Sequence, residues 1–282
     1  MTYLSKTMPF YKTYPPPAKL KNVIREFQLL HVQWLPGEEL PPPFITCLAN
    51  TEQNIYFFPR DPIKLTGANR YETQVPPVVV TGPKTKPVGL LYNKDYLMIK
   101  VAFQPTGTYR LLDVAMQPLV NAGMNATEIW GNEIFDILHV LQHMTVYDEM
   151  VETVSKFLAD KAMLQLKPEE PIDEVAVKML DPLQEYSLNE WASMACLSLR
   201  QFERSFITRV GISPKMFIRI VRFEYAMKIK NADNNKSWSQ IALECGYTDS
   251  AHILKEFKAF AEFPPSEFFL SPTSGYSELP TG

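Results

Sequence analysis

Two hydrophobic periods divide this chain. In the first hundred residues the apolar positions fall in short runs, often alternating with polar ones. Asn54-Ile55-Tyr56-Phe57-Phe58 is one such run, and Val78-Val79-Val80 before Gly82 is another. Over Tyr96–Phe103 a period of two puts Leu97, Ile99, Val101 and Phe103 on one face, which predicts a strand. Pro15-Pro16-Pro17, Pro41-Pro42-Pro43 and Pro76-Pro77 lie between these runs and forbid long helices there. Short strands closed by glycine and proline turns predict a small antiparallel barrel or sandwich.

From Thr106 onward the period becomes helical. Glu133–Met144 carries Ile134, Ile137, Leu138 and Leu141 at spacings of three and four, and Asp148–Lys161 carries Met150, Val151, Val154 and Leu158. An antiparallel pair of this kind can form a homodimer contact or cover its own barrel, and the sequence leaves both readings open. Lys167-Pro168-Glu169-Glu170-Pro171 is charged, holds two prolines and contains no apolar residue, as a linker does. Beyond it, Ile172, Val175, Ala176, Met179 and Leu180 form one helical stripe. The expected architecture is α+β: an antiparallel β-barrel with helices over 1–165, a linker at 166–171, an all-α domain over 172–270 and a flexible tail at 271–282.

The 282 residues suffice for two domains, and 46% hydrophobic with 21% charged residues argues against long disorder. No apolar run is long enough for a membrane span, and the start, Met1–Lys6, lacks the apolar core of a signal peptide, so a cytoplasmic protein with no membrane partner is expected. Net charge is −3, which by itself disfavours a nucleic-acid partner. Its distribution changes the picture: residues 183–260 hold 11 Lys+Arg against 8 Asp+Glu, while the flanking segments are acidic.

The one positive segment contains a duplicated unit. In the first copy Ser187 with Glu190 caps a short helix, and Ser198 with Gln201 caps a second one after a tight turn. Ala192 is small where the helices cross, and Phe202 and Phe206, four apart, face the core. In the second copy Ser237 with Gln240 caps a helix containing Ile241 and Ala242. Gly246 then makes the turn, where the first copy has Cys196, and Ile253 and Phe257 repeat the spacing. The second turn is one residue longer. Ser213-Pro214, an N-cap followed by Pro at N1, starts a long connecting helix reaching about Asn231.

These residues resemble the AraC/XylS family of bacterial transcription regulators. The first copy carries the family pattern through Ser198, Phe202, Arg204 and Phe206, followed by Gly211-Ile212-Ser213-Pro214 and Phe217. The second carries Ile241-Ala242, Gly246-Tyr247, Asp249, His252, Lys255, Phe257-Lys258 and then Pro265 and Phe268. Ile253, Lys255, Ala259, Glu262 and Pro264 depart from the commoner residues. The N-terminal half, through Phe103-Gln104-Pro105-Thr106-Gly107 with Leu111-Leu112 and the Pro-rich opening, is similar to an uncharacterised cupin-like domain found ahead of such modules. The resemblance implies a sequence-specific regulator of transcription that binds double-stranded DNA, with RNA polymerase as a partner if it is an activator. It also implies a sensing or dimerising N-terminal half that takes a small-molecule effector or a partner.

A helix-turn-helix inserts the first turns of its second helix into the major groove. The candidate base-facing residues are Ser198, Arg200, Gln201, Glu203 and Arg204 in the first copy and Ser250, Ala251, Leu254 and Lys255 in the second. Arginine grips guanine O6/N7 with two prongs, glutamate accepts from cytosine N4, and apolar side chains touch thymine methyls. Arg219, Arg222 and Lys258 are candidate phosphate contacts, which position without reading sequence. For Arg204 the competing reading is an ion pair with Glu203 or a phosphate contact; for Ser250 and Ala251, plain surface. The long helix would set the reading helices about one DNA turn, roughly 34 Å, apart.

Other chemistry is thinly represented. His139 and His143 are i, i+4 on a helix, but no further ligand stands at a telling spacing, which favours a solvated face. No phosphate loop, GxSxG or Cys/His pairing is present, so neither enzyme nor cofactor is expected. Cys47, Cys196 and Cys245 are scattered and odd in number, without a disulfide pattern; Cys196 and Cys245 are expected as buried packing residues. A cupin-type metal-dependent enzyme, or a ligand-binding protein with a vestigial DNA-binding module, is the alternative. Tyr56, Phe58, Tyr92, Met98 and Phe103 could line an N-terminal pocket, with ordinary core packing as the competing reading.

Overall fold

A computed structural model describes residues 9–34, 45–66, 72–91 and 93–265. Within them the strands are β1 (Phe10–Tyr14), β2 (Ile24–Gln33), β3 (Ile45–Cys47), β4 (Asn54–Phe57), β5 (Lys64–Thr66), β6 (Glu72–Gln74), β7 (Val78–Thr81), β8 (Val88–Leu91), β9 (Asp95–Phe103) and β10 (Gly123–Asn125). The helices are α1 (Gly107–Leu112), α2 (Thr127–Trp130), α3 (Glu133–His143), α4 (Tyr147–Gln165), α5 (Pro171–Lys178), α6 (Leu188–Met194), α7 (Leu199–Val210), α8 (Pro214–Ala232), α9 (Trp238–Glu244) and α10 (Ser250–Ala261). A single 3₁₀ turn lies at Gln117–Leu119. The class is α+β, with the strands in the N-terminal half.

Two antiparallel sheets make up that half, ordered β1-β2-β9-β4-β7-β10 and β3-β8-β5-β6. The long pair β2/β9 sets the register, with Leu29 opposite Ile99 and Phe27 opposite Val101, and a bulge between Ile24 and Glu26. Alternation along β9 sorts the core. Leu97, Ile99, Val101 and Phe103 join Ile24, Phe27, Leu29, Ile55 and Val80 beneath α1–α4. Met98, Leu30, Phe58, Tyr96 and Val79 face the other way, with Tyr56, Leu65 and Leu90 packed around them. Phe103 therefore cannot share a cavity with Met98 and Phe58. Met98 lies five residues from Phe103 on the same strand, whose side chains alternate between faces, and Phe58, just past β4, packs in the cluster of Met98. Tyr92, the other candidate there, lies outside the described residues, as do Pro41–Pro43, Met1–Lys6, Phe268 and the tail 271–282.

The stretch after Thr106 is not wholly helical. Gly123–Asn125 returns to the sheet and pairs with Thr81–Val79. Three residues are too few to announce a strand by their own periodicity. α3 and α4 bury Ile134, Leu138 and Leu141, with Met150, Val151, Val154 and Leu158, against the sheet. Their apolar stripes thus cover the protein's own core, while Phe135 and Val140 face outward.

The C-terminal helices enclose a second core around Trp191, Phe202, Phe206, Phe217 and Phe223, joined by Ile172, Val175, Ala176 and Met179 of the predicted stripe; Leu180 is half-buried. Phe206 meets Phe217 edge-on at 5.4 Å, and Phe223 meets Phe257 at 5.8 Å. Leu48 and Ala49, from the strand-rich half, lie inside this core. Gly211 ends α7 with φ +99°, and a Cβ there would stand 2.9 Å from the Met116 carbonyl oxygen. Only glycine satisfies both the backbone turn and this close approach between the halves. No described helix is long and apolar enough to cross a membrane.

Candidate nucleic-acid interface

Both helix-turn-helix units are built from capping residues. Ser187 and Ser198 accept from the backbone N–H of Glu190 and Gln201, whose side chains reach back to the two cap N–H groups. Ser237 and Gln240 do the same for α9. Each first helix ends in the same Schellman turn. Leu197 N–H donates to Ala192 O at 2.9 Å, and Tyr247 N–H donates to Ala242 O at 2.9 Å. The residue before each, Cys196 and Gly246, takes the left-handed conformation, φ 55° and 67°. The turns that end α6 and α9 therefore match in their backbone, and the extra residue of the second copy falls after its turn, before the Asp249 cap. Cys245 is buried as expected; Cys196 is exposed, because a left-handed residue after a helix end points away from it.

In the first unit Phe202 and Phe206 are fully buried, and Arg200 and Arg204 stand exposed on the opposite face with Glu203 half-exposed beside them. Arg204 makes no ion pair with Glu203, and among the described residues neither side chain is engaged elsewhere. The face presents two unneutralised guanidinium groups and one carboxylate within a turn of one another. Ser198 and Gln201 sit at the same helix start, but their polar atoms already serve each other: Ser198 Oγ donates to Gln201 Oε1 at 2.7 Å.

In the second unit Ala251, Leu254, Lys255 and Lys258 are exposed and Ser250 is half-exposed. Asp249 caps α10, accepting from His252 N–H at 2.7 Å. Sequence reasoning passed over Asp249 as a cap, although its residue type and place, just ahead of the helix, are the ordinary signal.

The phosphate candidates on α8 are differently placed. Arg219 clamps Glu256 of α10 with both prongs, at 3.0 and 2.9 Å, and lies over the Phe260 ring. Its guanidinium ties α8 to α10, while over a third of the side chain stays exposed. Arg222 stacks 5.4 Å above the Tyr247 ring. Trp238, at the start of α9, packs edge-on against Phe257. Lys258 is exposed near the end of α10.

Two buried polar clusters went unseen in the sequence. Asp173 on α5, 2% exposed, pairs with Arg209 of α7 at 2.9 Å and lies 3.8 Å from Arg110 of α1. Arg209 also reaches Glu170 at 2.6 Å. Burial would lower the Arg209 pKa, but Glu170 and Asp173 outweigh it and raise it. In the second cluster Glu52 binds Lys100 and Arg25, each at 2.6 Å. Burial alone would raise the Glu52 pKa, yet these two cations hold it well below the usual carboxylate range. Nearby, burial and then the Glu52 charge push Glu224 of α8 up to about 8. Thr51 donates to Glu224 Oε2 through its hydroxyl at 3.0 Å.

His139 and His143 lie exposed on α3, with His143 Nδ1 2.8 Å from the His139 carbonyl oxygen. No group of three or more His, Cys, Asp or Glu among the described residues is placed to hold a metal ion.

A family model described as a helix-turn-helix domain matches residues 191–271. An uncharacterized HTH-type transcriptional regulator of Haemophilus influenzae is 24% identical over 179 residues, covering 63% of this chain and 59% of that protein. The chain thus spans under two thirds of the length of this curated relative. Among solved structures, ToxT from Vibrio cholerae aligns with TM-score 0.45 and 11% identity over 92% of this chain and 97% of its own. The DNA-binding domain of AdpA, a global transcriptional factor in complex with a target DNA, aligns over 40% of this chain and all of its own, with TM-score 0.34 and 21% identity. Two capped units of matching turn geometry, joined by one long helix and carrying the family match over residues 191–271, make the C-terminal part of this chain a helix-turn-helix domain.

Proposed function

We propose that this protein is a sequence-specific DNA-binding regulator of transcription that reads two adjacent major-groove segments with α7 and α10. The observation that carries the reading is the outer face of α7: Arg200 and Arg204 are exposed, without partners among the described residues, on a helix whose other face is locked by Phe202 and Phe206. Two such arginines on a rigid helix suit guanine recognition. α10 offers Ala251 and Leu254 for thymine methyls and Lys255 with Lys258 for phosphates, so it discriminates less. Arg222 is the weaker phosphate candidate, and Arg219 supports α10 from behind.

In this reading residues 1–165 form a regulatory part, 166–171 a connection, 172–270 the DNA-binding part and 271–282 a tail. The regulatory part would act through a small-molecule effector, for which the polar cluster around Glu52 and Lys100 is the place to look. The outward faces of α3 and α4 are where a homodimer would form, and RNA polymerase is the further partner of an activator. The proposal assigns the chain no catalytic step.

The test is selection of DNA from a random-oligonucleotide pool with the purified protein and with Arg204→Ala at two salt concentrations. An enriched site with two short elements about 10 bp apart, one of which loses definition in the variant, supports the reading. Uniformly weaker binding to the same site would make Arg204 a phosphate contact. No enrichment at either salt would remove sequence-specific DNA reading.

A further inference from the structure

One short stretch of the strand-rich half touches every helix that matters for DNA reading. Leu48 and Ala49 lie inside the core of the C-terminal domain. Ala49 N–H donates to Phe260 O near the end of α10 at 3.4 Å. Thr51 donates to Glu224 on α8 through its hydroxyl and, at 3.4 Å, through its backbone N–H. The Gln53 side-chain amide, 1% exposed, reaches the Arg209 and Val210 carbonyl oxygens at the end of α7, at 3.3 and 3.4 Å, and also the Pro105 carbonyl oxygen.

The same stretch is anchored at its other side. Asn50 bridges to Lys84 through paired backbone hydrogen bonds of 2.9 Å. Glu52 holds Lys100 of β9 and Arg25 of β2. Residues 48–53 therefore connect the central sheet to α7, α8 and α10 through five consecutive positions, 49–53.

The hydrogen bonds to α7 and α10 fall at the C-terminal ends of those helices, whereas the base-facing candidates, up to Arg204 and Lys255, lie in their N-terminal halves. A helix gripped at its far end keeps its reading end open but not free to pivot. α7 and α10 are gripped by the same rigid stretch, so their mutual angle and separation become a single quantity. We propose that residues 48–53 position the two reading helices relative to each other, with Thr51 and Gln53 as positioning residues that set which spacing of DNA elements the protein accepts. The inference rests on the DNA-reading function above.

One base pair of spacing moves a groove by about 3.4 Å and turns it by about a tenth of a revolution. A fixed pair of helices must lose affinity on such a change, and a loosened pair loses less. The test therefore takes the full-length protein and the site it selects, and rebuilds that site with the two elements one base pair closer or farther apart. The wild-type protein is expected to discriminate by about tenfold against the altered spacings, the size of an ordinary site mismatch. Thr51→Val, which keeps the side-chain shape, and Gln53→Ala are each expected to reduce that discrimination to about threefold or less. The base preference within each element should be unchanged, and Thr51→Ser should restore the wild-type pattern.

A melting curve on each variant separates positioning from simple loss of fold, since destabilisation lowers binding at every spacing alike. Unchanged spacing discrimination in both variants, with or without uniform loss of affinity, would overturn the proposal while leaving DNA reading intact. Failure of the wild-type protein to select any site would overturn both together.

Discussion

Arg204 and Arg200 lie one turn apart on an exposed face, and each has a distinct cost of removal. Truncating the one that reads a base should weaken the selected site by about 1–3 kcal/mol and relax preference at one position. Truncating a phosphate contact would lower binding to all sequences and flatten its salt dependence. Arg204→Ala is expected to behave as the first kind, measured by competition binding against single-base variants of the site. Both arginines were legible in the sequence, because helical period alone sets them opposite Phe202 and Phe206. Glu224 was not legible as a buried acid. Its neighbours Thr51 and Glu52 lie 173 residues away or nearly so, and no local pattern announces them. Its raised pKa has a sign. Between its ordinary value and about 8 the folded protein keeps a proton that the unfolded chain has released, so stability falls as pH rises through that window. Glu224→Gln keeps an acceptor for Thr51 and has no proton to lose. It should melt higher than the wild type at about pH 9 and together with it at about pH 5, as read by circular dichroism.

The paired turns after α6 and α9 set up a natural comparison between elements. Gly246 takes the left-handed conformation at no steric cost, whereas Cys196 takes it with a side chain. Cys196 is exposed and, among the described residues, no hydrogen bond holds its thiol, so Cys196→Gly should stabilise by roughly 0.5–1 kcal/mol and raise the melting temperature by a few degrees. The cap below it works the other way. Ser198→Ala frees the Gln201 N–H and should cost about 1 kcal/mol, on the same thermal measurement. These elements were readable in advance because caps and Schellman turns are written within five or six residues. Strand β10 was not: three residues owe their place to the partner strand, not to their own pattern. The equation of Cys196 with Cys245 as buried thiols failed for a related reason. The two cysteines occupy neighbouring, not equivalent, positions of the repeat, and one step along a helix end reverses exposure.

At the scale of the molecule the halves are joined by buried charge as well as by residues 48–53. Asp173 stands between Arg110 of the sheet-bearing half and Arg209 of the first reading helix. Asp173→Ala would remove the buried carboxylate shared by the two guanidinium groups and leave Arg209 with Glu170 and Arg110 with Glu169 at 3.7 Å, which should cost about 3 kcal/mol in urea unfolding. None of this was visible in the chain, where the 166–171 stretch looks like a clean break and where the partners lie 36 residues apart or more. That has a consequence for building hybrids. A cut at the apparent linker would leave the C-terminal fragment without Leu48 and Ala49 in its interior and without the Gln53 amide across the end of α7. It would leave the N-terminal fragment with the same apolar pair bared to water. A chimera that joins this reading module to a foreign sensor is therefore incomplete at that junction. It has to carry the 48–53 stretch along, or evolve a substitute for it, and a lineage exchanging such halves by recombination would meet the same obstacle.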